Sequence, residues 1–282
     1  MTIMTNQNKQ GTFPGAKGLK LYYQSWHPPA LAKAVLVIVH GHGAHSGIFR
    51  GMVKYLLECN YVVYSFDLRG NGRSPGQRGY INNWAEFRAD LKAFLDLVTA
   101  ENADLPLFLM GQSLGGAIAL DYALREPNFI QGLILMSPAL GLGISNWKIA
   151  ISKLLSSILP NFALDTGIDF SACSRNPEII AASAQDSLRH SQGTARLATE
   201  LLKTIDWINA HAKELQIPLL ILHGGADRVT LPKSSCVFFE RLNLADKEKH
   251  EYPGSYHELH HDLNCQEVLA DIKDWIDRHL SC

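Results

Sequence analysis

The sequence predicts an α/β protein with a mostly parallel central sheet, helices flanking that sheet, and a helical insertion that begins midway along the chain. Short apolar runs bounded by turn residues recur along the 282 residues, as expected for strands buried on both faces of a parallel sheet. Longer segments with apolar residues at helical spacing lie between these runs. This alternation of strands and helices is typical of a doubly wound domain.

The predicted strands are apolar runs that end at glycine, proline or polar turn residues. We predict them at residues 34–39, 61–66, 105–110, 132–136, 218–222 and 247–252. The predicted helices cover residues 48–58, 84–100, 114–125, 234–242 and 267–280. In a fold of this class, a site is expected in the loops at the carboxyl ends of the strands.

One segment interrupts the alternation. Residues 141–212 show several helical patterns and no clear strand. We therefore predict a core formed by residues 1–140 and 213–282, with residues 141–212 inserted as a helical cap over the site. The chain shows no internal repeat and no low-complexity tract that would favour another architecture.

The composition excludes several classes of protein. Hydrophobic residues make up 46% and charged residues 19%, which is ordinary for a globular protein and excludes a disordered or coiled-coil chain. The 26 Lys and Arg balance 27 Asp and Glu, so we expect no nucleic-acid partner. Five scattered cysteines without Cys-x-x-Cys spacing indicate free thiols in a reducing compartment. With neither a signal peptide nor a membrane-spanning apolar run, we expect a cytoplasmic protein.

The candidate nucleophile is Ser113, in the Gly-Gln-Ser-Leu-Gly-Gly segment at residues 111–116. This segment follows a predicted strand and opens a predicted helix, the context in which Gly-x-Ser-x-Gly exposes a reactive serine. A second match places Ser74 in Gly-Arg-Ser-Pro-Gly. There Pro75 has no N–H to donate to an oxyanion and no strand leads directly into the motif, so we interpret it as a turn.

A reactive serine needs a base, and the base needs an acid that fixes its tautomer. Asp227 and His257 each follow the end of a predicted strand, in the order expected for this arrangement. His260 and His261 compete for the role of base, but they lie farther from the strand end. His223 falls within a buried strand, where we expect a hydrogen-bonded core histidine.

Two backbone amides are candidates for the oxyanion hole. The His-Gly-His-Gly segment at residues 40–43 directly follows a predicted strand, and its glycines allow the N–H of His42 to point into the site. The N–H of Leu114 lies at the start of the helix after the candidate nucleophile. We expect His40 to brace the loop rather than to react.

A zinc site is the main rival for the histidine-rich segment. Residues 257–261 fit His-Glu-x-x-His, which binds zinc when both histidines lie on one face of a helix. Pro253 and Gly254 stand immediately upstream, so a long helix through residue 257 is not expected. We therefore predict no metal and no organic cofactor.

Several of these segments together resemble one family, the serine α/β-hydrolases of the monoacylglycerol lipase and lysophospholipase group. The core segments that carry the resemblance are 40–47, 67–76, 111–116, 224–228 and 254–257, and the cap segments are 159–162, 168–169, 174–178 and 186–190. The resemblance implies an α/β-hydrolase fold, a triad of Ser113, Asp227 and His257, and oxyanion donors at His42 and Leu114. It departs from the usual pattern at Gln112, where the family has histidine or glutamate, and at Ser187, where it has proline.

The resemblance implies hydrolysis of monoacylglycerols or lysophospholipids through an acyl-enzyme. A fatty chain needs an apolar site, because burial contributes about 0.8 kcal/mol per methylene. The first part of the cap offers Ile151, Leu154, Leu155, Ile158 and Leu159 for this role. Between residues 141 and 164 the only charged residues are Lys148 and Lys153, which would also let the cap lie on an anionic membrane surface.

Other functions stay open at the level of sequence. The apolar residues of the cap could equally pack on the core. A serine peptidase that releases N-terminal residues, a haloperoxidase-like enzyme or a carbon–carbon hydrolase would share the fold. From a different class, a non-catalytic binding protein with this fold would be expected to lack part of the triad.

Overall fold

The computed structural model describes residues 7–141, 154–167 and 169–280. The strands are β1 (Gln7–Pro14), β2 (Lys20–His27), β3 (Ala34–Val39), β4 (Tyr61–Phe66), β5 (Leu107–Gln112), β6 (Gly132–Met136), β7 (Ala163–Asp165), β8 (Gln192–Thr194), β9 (Leu219–Gly224) and β10 (Lys247–Tyr252). The helices are α1 (Arg50–Glu58), α2 (Ala85–Glu101), α3 (Leu114–Arg125), α4 (Pro177–Gln185), α5 (Ala195–His211), α6 (Pro232–Arg241) and α7 (Cys265–Arg278), and residues 154–158 are also helical.

Eight strands form one twisted sheet in the order β1-β2-β4-β3-β5-β6-β9-β10. The β1–β2 and β2–β4 pairs are antiparallel, and the remaining pairs from β4 to β10 are parallel. The mostly parallel sheet with flanking helices confirms the predicted fold class. Because the central strands are parallel, the loops that follow β3, β5, β9 and β10 all lie at one edge of the sheet.

Burial of the central strands explains their sequence. Every residue of β3, β4, β5, β6 and β9 is buried, and successive residues of β3 enter two different apolar clusters. One cluster includes Phe94 of α2 and Ile118 of α3, and the other includes Met52 of α1 and Trp275 of α7. Helices therefore cover both faces of the sheet, which is why these strands are continuous apolar runs.

The predicted core elements match the structure within two residues at each end. The β1–β2 hairpin was not predicted, because its polar residues carry no apolar run and its position depends on pairing with β4. In the described residues, no helix combines the length and apolarity that would be needed to cross a membrane. Four cysteines of the described chain, Cys59, Cys173, Cys236 and Cys265, are free thiols.

The cap lies between β6 and β9. It contains α4 and α5, and β7 pairs with β8 in a two-stranded antiparallel ribbon. We expected no strand in this segment, and that expectation was wrong because three-residue strands are too short to show a period. The backbone N–H of His190 donates to the carbonyl of Gly43 at 3.0 Å, and that of Thr194 donates to Gly79 at 3.1 Å. The boundaries at residues 141 and 212 stay a prediction.

Candidate active site

Ser113 occupies a strained turn between β5 and α3. Its backbone has φ 55° and ψ −120°, a region that non-glycine residues rarely adopt. The turn requires glycine on both sides of it. A Cβ on Gly111 would lie 2.3 Å from the carbonyl oxygen of Gly115, and a Cβ on Gly115 would lie 2.1 Å from that of Val39. The close approach of β3, β5 and α3 therefore explains the motif and presents Ser113 at the carboxyl edge of the sheet.

The two candidate oxyanion donors flank this serine. Leu114 is the first residue of α3, so its N–H belongs to the unpaired, positive end of a twelve-residue helix. Hydrogen bonds between described residues occupy neither this N–H nor that of His42. His42 lies on the loop after β3 and lines the same cavity as Ser113. Both amides are thus available for an oxyanion.

His40 holds the loop after β3 in place. Its Nδ1 donates to the carbonyl of Gly41 at 2.7 Å, and its Nε2 accepts from the backbone N–H of Leu68 at 2.9 Å. Burial lowers the pKa of His40 to about 4, so the ring is neutral at pH 7 and both bonds keep these roles. The ring joins the loops after β3 and β4, the bracing role expected from sequence.

Asp227 and His257, the candidate acid and base, come together as a hydrogen-bonded pair. Nδ1 of His257 donates to Oδ2 of Asp227 at 2.7 Å, and both side chains are buried. Oδ1 of Asp227 accepts the backbone N–H groups of Val229 and Thr230 at 2.7 and 3.0 Å. The bond to Asp227 fixes the tautomer in which Nε2 of His257 is free to accept a proton.

Two further residues surround the carboxylate of Asp227, and sequence reasoning assigned them no role in the site. Oγ1 of Thr230 donates to Oδ2 at 2.9 Å, and Nε2 of His223 lies 3.2 Å from the same oxygen. Burial alone would raise the pKa of Asp227, but the hydrogen bonds from His223 and His257 hold it below its usual range. His223 is a hydrogen-bonded core histidine, as expected, because its Nδ1 also bonds to Ser235 at 2.8 Å.

Ser113 and His257 share the walls of one cavity of about 140 Å³. The remaining lining residues come from the core loops and from the cap, and they are Gly41, His42, Gly43, Ala44, Gln112, Phe170, Cys173, Arg189, His190, Val229 and Glu258. The hydrogen bonds of the described residues do not include one from the Ser113 hydroxyl to His257, and such bonds often tighten only when substrate binds.

The charges on the cavity wall cancel. Arg189 and Glu258 form an ion pair with each other, and no other lysine, arginine, aspartate or glutamate is among the described lining residues. Burial lowers the pKa of both His42 and His190 to about 4, so these two rings are neutral at pH 7. These charged and titratable side chains therefore give the wall no net charge.

The competing serine and histidine, Ser74 and His260, lie outside the cavity lining. Ser74 donates to the carbonyl of Asp67 at 2.5 Å and accepts from the N–H of Tyr22 at 2.9 Å, so it fixes a turn. His260 is buried against Phe49, with ring centroids 4.9 Å apart, and neither ring nitrogen has a partner among the described residues. Neither Ser74 nor His260 lines the cavity.

The zinc interpretation finds no support in the arrangement of this segment. Ligand atoms of Glu258, His260 and His261 lie within 4.8 Å of one another, but His257 is not in that group. Glu258 is already bound by Arg189 and His261, and no helix runs through residue 257. The two histidines of His-Glu-x-x-His therefore do not face one another on a helix as that motif requires.

The candidate acyl-binding residues that the structure describes do not line this cavity. Leu154, Ile158 and Leu159 are 60%, 64% and 50% exposed, and Leu155 is half-buried. None of them is among the described lining residues, and Ile151 lies outside the described residues. Instead, the cap residues that reach the cavity are Phe170, Cys173, Arg189 and His190. For Arg189 and His190, the signal in the sequence was the resemblance of residues 186–190 to the family, but it indicated no role for either residue.

The sheet and the geometry around Ser113 define the class: the chain is a serine hydrolase with the α/β-hydrolase fold. It belongs to the family described as serine aminopeptidase, S33, which matches residues 30–264. Monoglyceride lipase of Mus musculus is 30% identical over 272 residues, 94% of this chain and 89% of that protein. A phospholipase of Bacillus subtilis is 31% identical over 251 residues, 88% of this chain and 96% of that protein. The crystal structure of Paleococcus ferrophilus monoacylglycerol lipase has a TM-score of 0.82 and 31% identity, covering 92% of this chain and 99% of that chain.

Proposed function

We propose that this protein is a monoacylglycerol lipase that releases a free fatty acid and glycerol through an acyl-enzyme on Ser113. The observation that carries the proposal is the strained serine opening onto one cavity with a histidine bonded to Asp227. Similarity to monoglyceride lipases along most of the chain supports the choice of substrate.

The proposed reaction begins with attack of Ser113 Oγ on the ester carbonyl carbon. Nε2 of His257 takes the serine proton, and Asp227 stabilises the resulting imidazolium. The N–H groups of His42 and Leu114 bind the tetrahedral oxyanion. Each of them raises kcat by a factor of about 10²–10³. His257 then protonates the leaving glycerol oxygen, and water attacks the acyl-enzyme with the same histidine as base.

The charge balance of the cavity favours a neutral head group. A lysophospholipid phosphate would need an unpaired cation, but Arg189 is neutralised by Glu258. An aminopeptidase would need an unpaired carboxylate for the substrate's ammonium group, and the described lining offers none. The hydroxyl groups of glycerol are uncharged and need no such charged partner.

A lipid panel tests this function. Monoacylglycerols, lysophospholipids, diacylglycerols, triacylglycerols and aminoacyl amides are given to the wild type and to Ser113→Ala, with release of fatty acid or amine measured. We expect monoacylglycerols to give the highest kcat/KM and Ser113→Ala to lower kcat by about 10⁶-fold. Ser74→Ala is the matched control from the second motif, and it should lower thermal stability while leaving kcat unchanged. A Ser113→Ala protein with wild-type rates, or a preference for amides, would refute the proposal.

We also propose that the cap contacts a membrane surface. Over residues 154–167 the exposed side chains include Leu154, Ile158, Leu159, Phe162 and Leu164, each at least half exposed, and the only charged residue is Asp165. Leu154 and Ile158 are four residues apart in helical backbone and share one face. An exposed apolar surface of this kind is typical of a contact site. A lipid substrate could pass from the bilayer to the cavity at such a contact.

Vesicle binding tests the membrane contact. Each large apolar side chain moved from water into lipid contributes about 1.5–3 kcal/mol, so Ile158→Ser with Phe162→Ser should weaken binding to phosphatidylcholine vesicles by at least about tenfold. Hydrolysis of a soluble p-nitrophenyl butyrate should not change. Phe129→Ser is the control, because Phe129 is 82% exposed and precedes β6, at the opposite edge of the sheet. Equal binding by all three proteins would refute the contact.

A further inference from the structure

A buried ion pair joins the cap to the residue that follows the proposed base. Glu258 directly follows His257 in the chain, and its side chain is 5% exposed. Its Oε1 accepts a hydrogen bond from Nη2 of Arg189, whose side chain is 6% exposed. Arg189 lies in the cap, in the loop between α4 and β8. The pair therefore connects the cap directly to the loop after β10.

The second carboxylate oxygen fastens Glu258 to the core. Oε2 accepts from Nδ1 of His261 at 3.0 Å, and Nε2 of His261 bonds to the carbonyl of Ile48 at 2.8 Å. Burial alone would raise the pKa of Glu258, but the hydrogen bond from His261 and the charge of Arg189 hold it below its usual range. The carboxylate is therefore ionised at neutral pH and is held by donors on both sides.

Two more contacts fix the same segment to the cap. The backbone N–H of Glu258 donates to the carbonyl of Cys173 at 2.7 Å, and Nε of Arg175 pairs with Asp262 at 3.0 Å. The side chain and the backbone of Glu258 thus both depend on cap residues. A shift of the cap relative to the core would be transmitted to the peptide that carries the proposed base.

We infer that Arg189 and Glu258 are positioning residues through which the seated cap holds His257 at the distance from Ser113 that proton transfer requires. The inference rests on the proposed esterase function. A buried ion pair often contributes no more stability than apolar side chains of the same size, so its main effect here is to impose one geometry. Proton transfer is sensitive to such geometry, because a displacement of about 1 Å can cost about 10²-fold in rate.

The decisive variant is the double substitution Arg189→Met with Glu258→Met, which removes both charges and keeps similar side-chain volumes. The substrate is p-nitrophenyl acetate, whose small acyl group needs no apolar wall. We expect kcat to fall by about 10–10²-fold with KM changed less than about twofold, because only the base is displaced. The control Arg88→Met breaks the pair between Arg88 of α2 and Asp121 of α3, away from the base, and should leave kcat unchanged.

A conservative variant covers the case in which the double variant does not fold. Lysine at position 189 keeps the charge but cannot bond to Ser183 and Glu258 together, as the two arms of the guanidinium do. Arg189→Lys should therefore fold and show a kcat lowered by about three- to tenfold at unchanged KM. Wild-type kcat on the small ester in either folded variant overturns the inference, even when activity on lipids falls.

The outcome separates this inference from the proposed function. Wild type and Ser113→Ala are assayed beside these variants. An inactive wild type refutes the esterase proposal itself, whereas an active wild type with fully active Arg189 variants refutes only the positioning role.

Discussion

Replacing Gly115 by alanine should disable the site while changing only one methyl group. The added Cβ would lie 2.1 Å from the carbonyl oxygen of Val39 and 2.5 Å from that of His40, whereas real Cβ contacts essentially never fall below 3.0 Å. The start of α3 and the end of β3 must therefore move apart by at least about 0.9 Å. The start of α3 carries the N–H of Leu114, and the end of β3 leads to the N–H of His42. The separation therefore acts on both proposed oxyanion donors.

The expected loss of rate follows from how little displacement the proposed oxyanion hole can tolerate. Its donors act at about 2.7–3.1 Å from the oxyanion, so a shift of this size removes at least one of them and lowers kcat by about 10²–10³-fold. Overpacking should also destabilise the fold by about 1–3 kcal/mol. The assays are p-nitrophenyl butyrate hydrolysis and thermal unfolding of Gly115→Ala.

Gly51→Ala is the matched control. Gly51 lies near the start of α1, where an added Cβ meets nothing within 4 Å. This variant should keep kcat and gain about 0.4–1 kcal/mol of stability, because alanine restricts the unfolded chain. A Gly115→Ala enzyme whose kcat stays within about threefold of wild type would show that the close contact does not set the oxyanion geometry.

Two further predictions follow from buried polar groups. Thr230→Val removes a hydrogen bond to the carboxylate of Asp227 and should lower kcat by about tenfold. The control Thr199→Val removes a buried hydroxyl that has no partner among the described residues, so it should leave kcat unchanged and stability equal or higher. Equal kcat in the two variants would contradict a role of Thr230 in holding Asp227. Burial lowers the pKa of His40 and His190 to about 4, below the value of about 6.5 in the unfolded chain. The unfolded state therefore binds more protons between about pH 4 and 6.5, and the free energy of unfolding should fall on acidification through that window, by at most about 1.4 kcal/mol per pH unit for each histidine. Urea unfolding at several pH values measures this slope, and a flat profile would count against neutral buried rings.

The core of the fold could be predicted from sequence because its strands are buried on both faces. Each central strand is then a continuous apolar run, and parallel order places the ends of β5, β9 and β10 at one edge. That reasoning brings Ser113, Asp227 and His257 to one edge of the sheet without any knowledge of the loops. The β1–β2 hairpin and the three-residue strands of the cap lack such a pattern, because long-range pairing rather than local sequence defines them.

The surroundings of the site depend on side-chain contacts that spacing does not reveal. Thr230 and His223 bond to the carboxylate of Asp227 only because the loop after β9 folds back over the strand end. Arg189 meets Glu258 only once the cap is seated on the core. The spacing of the apolar residues around Leu154 fits three arrangements equally well: a lipid-binding site, a face packed on the core, and an exposed apolar surface. Periodicity alone does not distinguish among them.

The position of the cap within the chain has a consequence for how such enzymes diversify. β6 and β9 are paired parallel neighbours, so one crossover connection joins them, and α5 of that connection packs against α3 of the core. The rest of the cap therefore only lengthens this one connection. Doubling the length of a flexible loop costs only about 0.6 kcal/mol in closure entropy. Natural selection could therefore exchange or resize this stretch at little expense to folding, so that new substrate preferences evolve while the reacting groups are inherited unchanged.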